Sequence, residues 1–261
     1  MKSGTLTVVG TGYLVAGQAT IEALACIEKA QKLFYLVTEP ATSQWLESLN
    51  STAESLQDCY AVGKHRYDTY REMVERMLAP VRKGKRVVAA FYGHPGVFVY
   101  PSHEAIRRAR KEGFAARMLP GISAEDCLFA DLGIDPALYG CQSFEATDFL
   151  IHRRKFDPSS HLILWQVGAI GVKDYQNREL WSRGGLRVLV EALGKTYPPG
   201  HEVVIYEAAQ YPVCEPLVKR VVLAKLAKSR VTVISTLYVP PRRKARLDKR
   251  MMARLGLSAS R

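Results

Sequence analysis

The chain has 261 residues, 48% of them hydrophobic and 24% charged, with 19 glycines and 13 prolines. This composition excludes a disordered chain and a fibre, and no apolar run approaches the roughly 20 residues of a membrane helix. The formal charge is +12, but eight basic residues against the single acid Asp248 lie between Arg242 and Arg261, so the rest is only mildly basic and charge alone selects no function.

Residues 6–9 are too short an apolar run for a signal peptide and read as a first strand, closed by Gly10-Thr11-Gly12. Residues 18–31 predict a helix with Ile21, Leu24, Ala25 and Ile27 on one face, and 33–37 a second strand. A helix over 67–82 carries Met73, Met77 and Leu78. After it come an apolar strand at 86–92, a basic helix at 103–112, a strand at 116–119 and a helix at 123–132. Alternation of this kind builds βαβ units around a mainly parallel sheet. Strands at 162–167, 203–206 and 231–239 follow at wider spacing, with helices around 185–194 and near 221–229. The fold class is α/β with two α/β domains, expected at 1–125 and 126–241, ahead of a basic tail at 242–261 that is either solvated or binds RNA, an acidic protein or an anionic surface.

The five cysteines (Cys26, Cys59, Cys127, Cys141, Cys214) are odd in number and contain no CxxC, so a disulfide scaffold and structural zinc are both disfavoured and a reducing cytoplasm fits. The histidines show no paired spacing, and no metal is expected. In an open parallel sheet, ligands collect beyond the carboxyl ends of the strands. Three loops of this chain lie there: Val8 to Tyr13, Tyr92 to Phe98, and Leu119 to Asp126. Each holds glycine, which passes close to neighbouring groups or takes positive φ. A dinucleotide fingerprint would want glycine where Val15 stands; Glu39, which could hold a ribose hydroxyl, keeps a dehydrogenase only as a minor alternative.

The Gly10-Thr11-Gly12, Gly93-His94-Pro95-Gly96-Val97-Phe98 and Pro120-Gly121-Ile122-Ser123 loops resemble those of the tetrapyrrole-methylase superfamily. Five longer stretches are similar to one branch, the borosin peptide α-N-methyltransferases. They are His65-Arg66-Tyr67-Asp68-Thr69-Tyr70, Phe91 to Phe98, Met118 to Asp126, Trp165-Gln166-Val167-Gly168, and Ile234 to Pro241, and the likeness runs from about residue 4 to 241. Loop aspartates usual in the superfamily are absent: Thr11 and Tyr13 surround the first loop and His94 occupies the second, which counts against a tetrapyrrole substrate.

The resemblance implies S-adenosyl-L-methionine as cofactor, S-adenosyl-L-homocysteine as product, and a site in the cleft between two domains. Its matched cofactor residues are Gly10, Gly12, Tyr92, His94, Val97, Phe98, Ser123, Ala124, Gln166, Ser235 and Thr236. Val97 and Phe98 suit adenine or the methionine stem, while Ser123, Gln166 and Thr236 suit its polar edge. The matched catalytic set is Tyr60, Arg66 and Tyr70. A backbone amide is a poor nucleophile because its lone pair is delocalised, so its proton must leave or its oxygen be held as an imidate. A phenol can take that proton when a fixed cation favours phenolate, and arginine stays charged; which tyrosine does so is open.

The resemblance also implies a homodimer. Because the chain ends about twenty residues after Pro241 without a hydrophobic core-peptide tail, a split system is expected, with a precursor peptide supplied in trans and a heterotetramer with it. Neither a membrane nor a nucleic acid is expected as partner. A corrin-precursor methylase, an RNA methylase and a catalytically silent assembly partner are the competing readings.

Overall fold

The structure, a computed structural model, describes residues 3–177 and 182–257. The chain forms two compact units. One comprises Met1–Ile134, Val172–Arg178 and Glu207–Leu217; the other comprises Asp135–Gly171, Glu179–Tyr206 and Val218–Arg261. A cut between 125 and 126 falls inside a helix that continues to Leu132, where Gly133 at φ +65° ends it. Two later segments also return to the first unit, which no single cut expresses.

The first unit runs β1 (Thr5–Gly10), α1 (Ile21–Glu28), β2 (Lys32–Leu36), α2 (Pro40–Leu49), β3 (Glu54–Ser55), α3 (Arg66–Arg82), β4 (Arg86–Phe91), α4 (Tyr100–Lys111), β5 (Ala115–Met118) and α5 (Ala124–Leu132). Its five strands lie in the order β3-β2-β4-β1-β5, and all pairings are parallel. Both faces are covered, which is why β4 reads as a continuous apolar run from Val87 to Phe91. Val87, Ala89 and Phe91 pack with Met73, Met77 and Leu78 of α3, while Val88 and Ala90 face Ala23 and Ile27 of α1 and Leu46 of α2. The strands align Val8 with Ala89 and Gly10 with Phe91, so their carboxyl ends finish level.

Several predicted bounds shift for local reasons. The helix expected at 18–31 begins at Ile21 because the Thr20 hydroxyl accepts from Ala23 N at 3.1 Å. The α4 helix begins at Tyr100, with Pro101 in a first turn that needs no N–H there. The α2 helix, not expected, starts on Pro40 and buries only Thr42 and Leu46, too little for a visible period.

The second unit runs α6 (Pro136–Tyr139), β6 (Cys141–Glu145), α7 (Ala146–Ile151), β7 (His161–Trp165), α8 (Arg183–Gly194), β8 (Glu202–Glu207), β9 (Leu217–Val222), β10 (Thr236–Val239) and α9 (Lys249–Arg254). Its sheet is ordered β6-β7-β10-β8-β9 and is mixed: β6 is parallel to β7, and β10 is antiparallel to β7 and β8. Leu162, Leu164, Ile205 and Leu237 pack with Leu186, Leu189 and Leu193 of α8. The strand expected over 231–239 begins only at Thr236, since Ser235 N donates to Thr232 O at 3.1 Å and closes a turn. Near 221–229 the helix is a 3-10 segment, Leu223–Lys228. No helix among the described residues is long and apolar enough to cross a membrane.

Candidate active site

In the first unit the three glycine loops meet. Gly12 and Gly93 pair as an isolated bridge, Gly93 N donating to Gly12 O at 2.8 Å. A Cβ on Gly10 would lie 2.3 Å from Gly93 O, 2.8 Å from Pro95 Cδ and 3.3 Å from Gly121 Cα. One on Gly121 would lie 3.1 Å from Gly10 Cα. These glycines are therefore required where the backbones of neighbouring loops touch. Thr11, buried, donates its hydroxyl to Phe91 O at 3.3 Å, so it anchors the first loop to the end of β4.

The second loop is built around His94, whose Nδ1 accepts from Gly96 N at 2.9 Å. Beyond it Phe98 takes φ +57° and leaves 50% of its surface exposed, next to the exposed Val97. Left-handed backbone at a bulky residue is strained and is retained where surrounding structure imposes it. In the third loop Ser123 caps α5: its Oγ donates to Asp126 Oδ2 at 2.7 Å and accepts from Asp126 N at 3.2 Å. Ala124 is the first helical residue. The Ser123 hydroxyl thus has a structural employment that the sequence reading did not give it.

Tyr60, Arg66 and Tyr70 come together in the same unit. Tyr60 follows a short turn, Gln57–Cys59, while Arg66 opens α3 and Tyr70 lies one turn on, the i, i+4 relation expected. Arg66 is fixed from both ends: its N donates to Lys173 O at 3.1 Å and its Nη2 to Val172 O at 3.0 Å. Tyr60 packs against Tyr175 with the rings tilted at 39° and their centres 4.9 Å apart. Burial pushes the Tyr60 phenol up, and so do Tyr70, Tyr92 and a hydrogen bond shared with Tyr70; Arg66 opposes this only in part. At Tyr60 desolvation outweighs the cation, so the guanidinium does not carry that phenol toward phenolate. Tyr92, at the end of β4, is also pushed up by burial and by Tyr70. Its ring meets Tyr13 edge-on at 6.0 Å.

Gln166, Ser235 and Thr236 form a separate set within the second unit. Gln166 sits at φ +57° at the end of β7, and the next residue, Val167, donates its N–H to Ser235 O at 3.1 Å. Ser235 and Thr236 are buried, and Ser235 Oγ accepts from Thr232 N at 2.8 Å. Among the described residues, no group of three or more His, Cys, Asp or Glu is placed to hold a metal ion.

The model of the tetrapyrrole (corrin/porphyrin) methylases matches residues 5–227. The chain belongs to the tetrapyrrole methylase family. Within that family its curated relatives are borosin methyltransferases. The methyltransferase and cyclic peptide dendrothelin A precursor of Dendrothele bispora is 49% identical over 251 residues, 95% of this chain and 60% of the relative. The omphalotin A counterpart of Omphalotus olearius is 46% identical over 260 residues, covering 98% and 62%. A type I borosin cyclic peptide precursor of Coprinopsis marcescibilis is 43% identical over 271 residues, covering 100% and 68%. The chain spans 60% and 62% of the first two relatives. Among solved structures, the uroporphyrin-III-C-methyltransferase of Thermus thermophilus matches with TM-score 0.65 at 17% identity, covering 92% of this chain and 93% of that one; it shows the fold.

This tetrapyrrole-methylase chain holds further aromatic residues at the site that the sequence did not announce. Tyr100 approaches Tyr70 at 6.1 Å and Tyr67 at 5.5 Å, and its hydroxyl donates to that of Tyr67 at 3.3 Å. Tyr175 arrives from a segment more than a hundred residues beyond Tyr60. Helical spacing places Tyr67 and Tyr70 on α3, but nothing local brings Tyr100 or Tyr175 to them.

Proposed function

We propose that this chain is an S-adenosyl-L-methionine-dependent methyltransferase acting on backbone amides of a ribosomally made peptide. The observation that carries the proposal is the phenol cluster of Tyr60, Tyr70 and Tyr92 with the fixed guanidinium of Arg66 beside it. The relatives, which pair a methyltransferase with a cyclic peptide precursor by name, support the same substrate class. The donor set fits a cationic sulfonium, since aromatic faces and phenol oxygens stabilise positive charge. Tyr92, His94, Val97, Phe98, Ser123 and Ala124, with the glycines at 10 and 12, would hold the cofactor in the first unit; Gln166, Ser235 and Thr236 are candidate contacts in their own unit. When bound, the cofactor supplies an electrophilic methyl group.

The chain's own residues supply the proton transfer. Burial and the bond to Tyr70 keep the Tyr60 hydroxyl protonated, so Tyr60 donates to Tyr70 Oη, and Tyr70, reacting as the phenolate, takes the amide proton and becomes the phenol. Arg66, anchored by Val172 O, stabilises the oxygen of the amide as its nitrogen loses the proton. The proposal extends to a precursor supplied as a separate chain and to a homodimeric enzyme.

The test is to incubate the protein with methyl-labelled cofactor and a candidate precursor peptide and to fragment the product. Labelled methyl groups on backbone nitrogens are expected, with none transferred to a tRNA fraction or a corrin precursor offered in parallel. Label on either control and none on the peptide would replace the proposal.

A further inference from the structure

A cavity of about 380 Å³ in the first unit, lined by His103, Ile106, Arg107, Arg110 and Met118, lies outside the residues assigned so far. Four of these residues come from α4 and Met118 from the end of edge strand β5. Tyr100, His103, Arg107 and Arg110 are exposed and follow at spacings of three, four and three, so they form one stripe along the helix. The stripe begins at Tyr100, whose ring lies beside that of Tyr70, and ends in the cavity.

The cavity joins an apolar floor, Ile106 and Met118, to a cationic rim. Glu104 accepts from Arg107 Nε and Nη2 at 2.7 Å and from Arg108 Nε at 2.6 Å, and Arg108 also donates Nη1 to Glu75 Oε1 at 2.7 Å. Arg110 donates Nε to Ala116 O at 2.9 Å, and among the described residues no carboxylate lies within hydrogen-bond reach of it. That bond also covers a carbonyl of the edge strand, which disfavours strand addition at β5 and leaves the helix stripe as the docking face. One wall belongs to the loop of the proposed site, since His103 Nε2 lies 2.8 Å from Gly96 O.

We propose that this cavity is an anchor subsite for an acidic side chain of the peptide substrate, whose neighbouring apolar residue rests on Ile106 and Met118 and whose chain runs along the α4 stripe to Tyr100. The proposal rests on the peptide reading above. Seven to ten helical residues at a rise of about 1.5 Å separate Tyr100 from Arg107 and Arg110, roughly 10–15 Å. An extended peptide covers that span in about three to five residues. The favoured acid therefore lies about that far from the methylated position.

The test uses synthetic peptides with one methylatable residue and a Glu or Gln at each of several offsets on either side. With the native protein, Glu at about three to five residues should lower KM on the order of tenfold relative to Gln, with kcat unchanged and the advantage shrinking in high salt. The R107Q/R110Q variant, its fold checked by thermal melting, should lose that preference while methylating Gln peptides as before. Equal KM values for Glu and Gln at every offset, or a preference that survives in the double variant, would overturn the anchor. Should no peptide be methylated, the underlying reading fails instead; fluorescence anisotropy of the same labelled peptides then still decides the anchor by whether Glu peptides bind tighter than Gln peptides.

Discussion

Gly10→Ala is the sharpest perturbation of the loop junction. The added methyl would sit 2.3 Å from Gly93 O and 2.8 Å from Pro95 Cδ, both closer than real Cβ contacts. The first and second loops must then part by up to about 1 Å, a form of overpacking that costs about 1–3 kcal/mol. The separation also strains Thr11 N to Phe91 O at 2.9 Å and Gly93 N to Gly12 O at 2.8 Å, bonds worth about 1 kcal/mol each. A total near 3 kcal/mol lowers Tm by about 6–12 °C for a domain of this size. Calorimetry gives the melting shift, and titration with S-adenosyl-L-homocysteine gives the effect on affinity, expected to weaken at least tenfold. Gly194→Ala, at the end of α8 with nothing within 4 Å, is the control and should hold or raise Tm. If G10A melts and binds like the native chain, the loops do not depend on contact at their glycines.

The remaining predictions concern the tyrosines and their support. Y70F should lower peptide methylation by about a hundredfold or more while cofactor affinity stays within about twofold; Y60F, which removes a donor to Tyr70, should cost less, about tenfold. R76M should destabilise the chain by about 1–2 kcal/mol in urea titration and slow turnover. Arg76 binds Glu54, Asp58, Ser55 O and Cys59 Sγ on the segment leading to Tyr60, while Lys32 still holds Glu54 at 2.6 Å. In the second unit, burial pushes the Tyr197 and Tyr238 phenols up to about 12. The folded value is raised, so the stability they contribute is complete below the unfolded phenol value near 10 and is lost between about pH 10 and 12, up to about 3 kcal/mol each. Y197F should reduce that loss. It should also cost little at pH 8, because the Tyr197 hydroxyl is buried with no hydrogen-bond partner among the described residues.

The parts of the fold carried by local signals were legible in the chain. The short apolar stretch 6–9 marked β1 and an apolar run without alternation marked β4, and the helix at 67–82 differs from α3 by one residue at its start. Elements with a thin buried face were not visible: β3 has two residues, α6 four, and α7 six. The turn over 232–235 was hidden because Thr232, Val233 and Ile234 are β-branched and its cause is the Thr232–Ser235 bonding. Tyr60, Arg66 and Tyr70 were named through the family resemblance, and the fold brings them together in one unit. The dependence of Arg66 on Val172 and Lys173, and the arrival of Tyr100 and Tyr175, rest on contacts distant in sequence. The balance at Tyr60, where desolvation exceeds the pull of the cation, is a property of the packed state that sequence does not carry.

The central claim is that Tyr70 accepts the amide proton, and it is tested most directly by placing a fluorinated tyrosine, a stronger acid, at position 70. The pH profile of kcat for peptide methylation would then be compared with that of the native chain. The account predicts that the acid limb moves to lower pH by roughly the difference between the two free phenols, while fluorinated tyrosine at position 60 leaves that limb in place. An unmoved limb at position 70, with full activity retained, would contradict it.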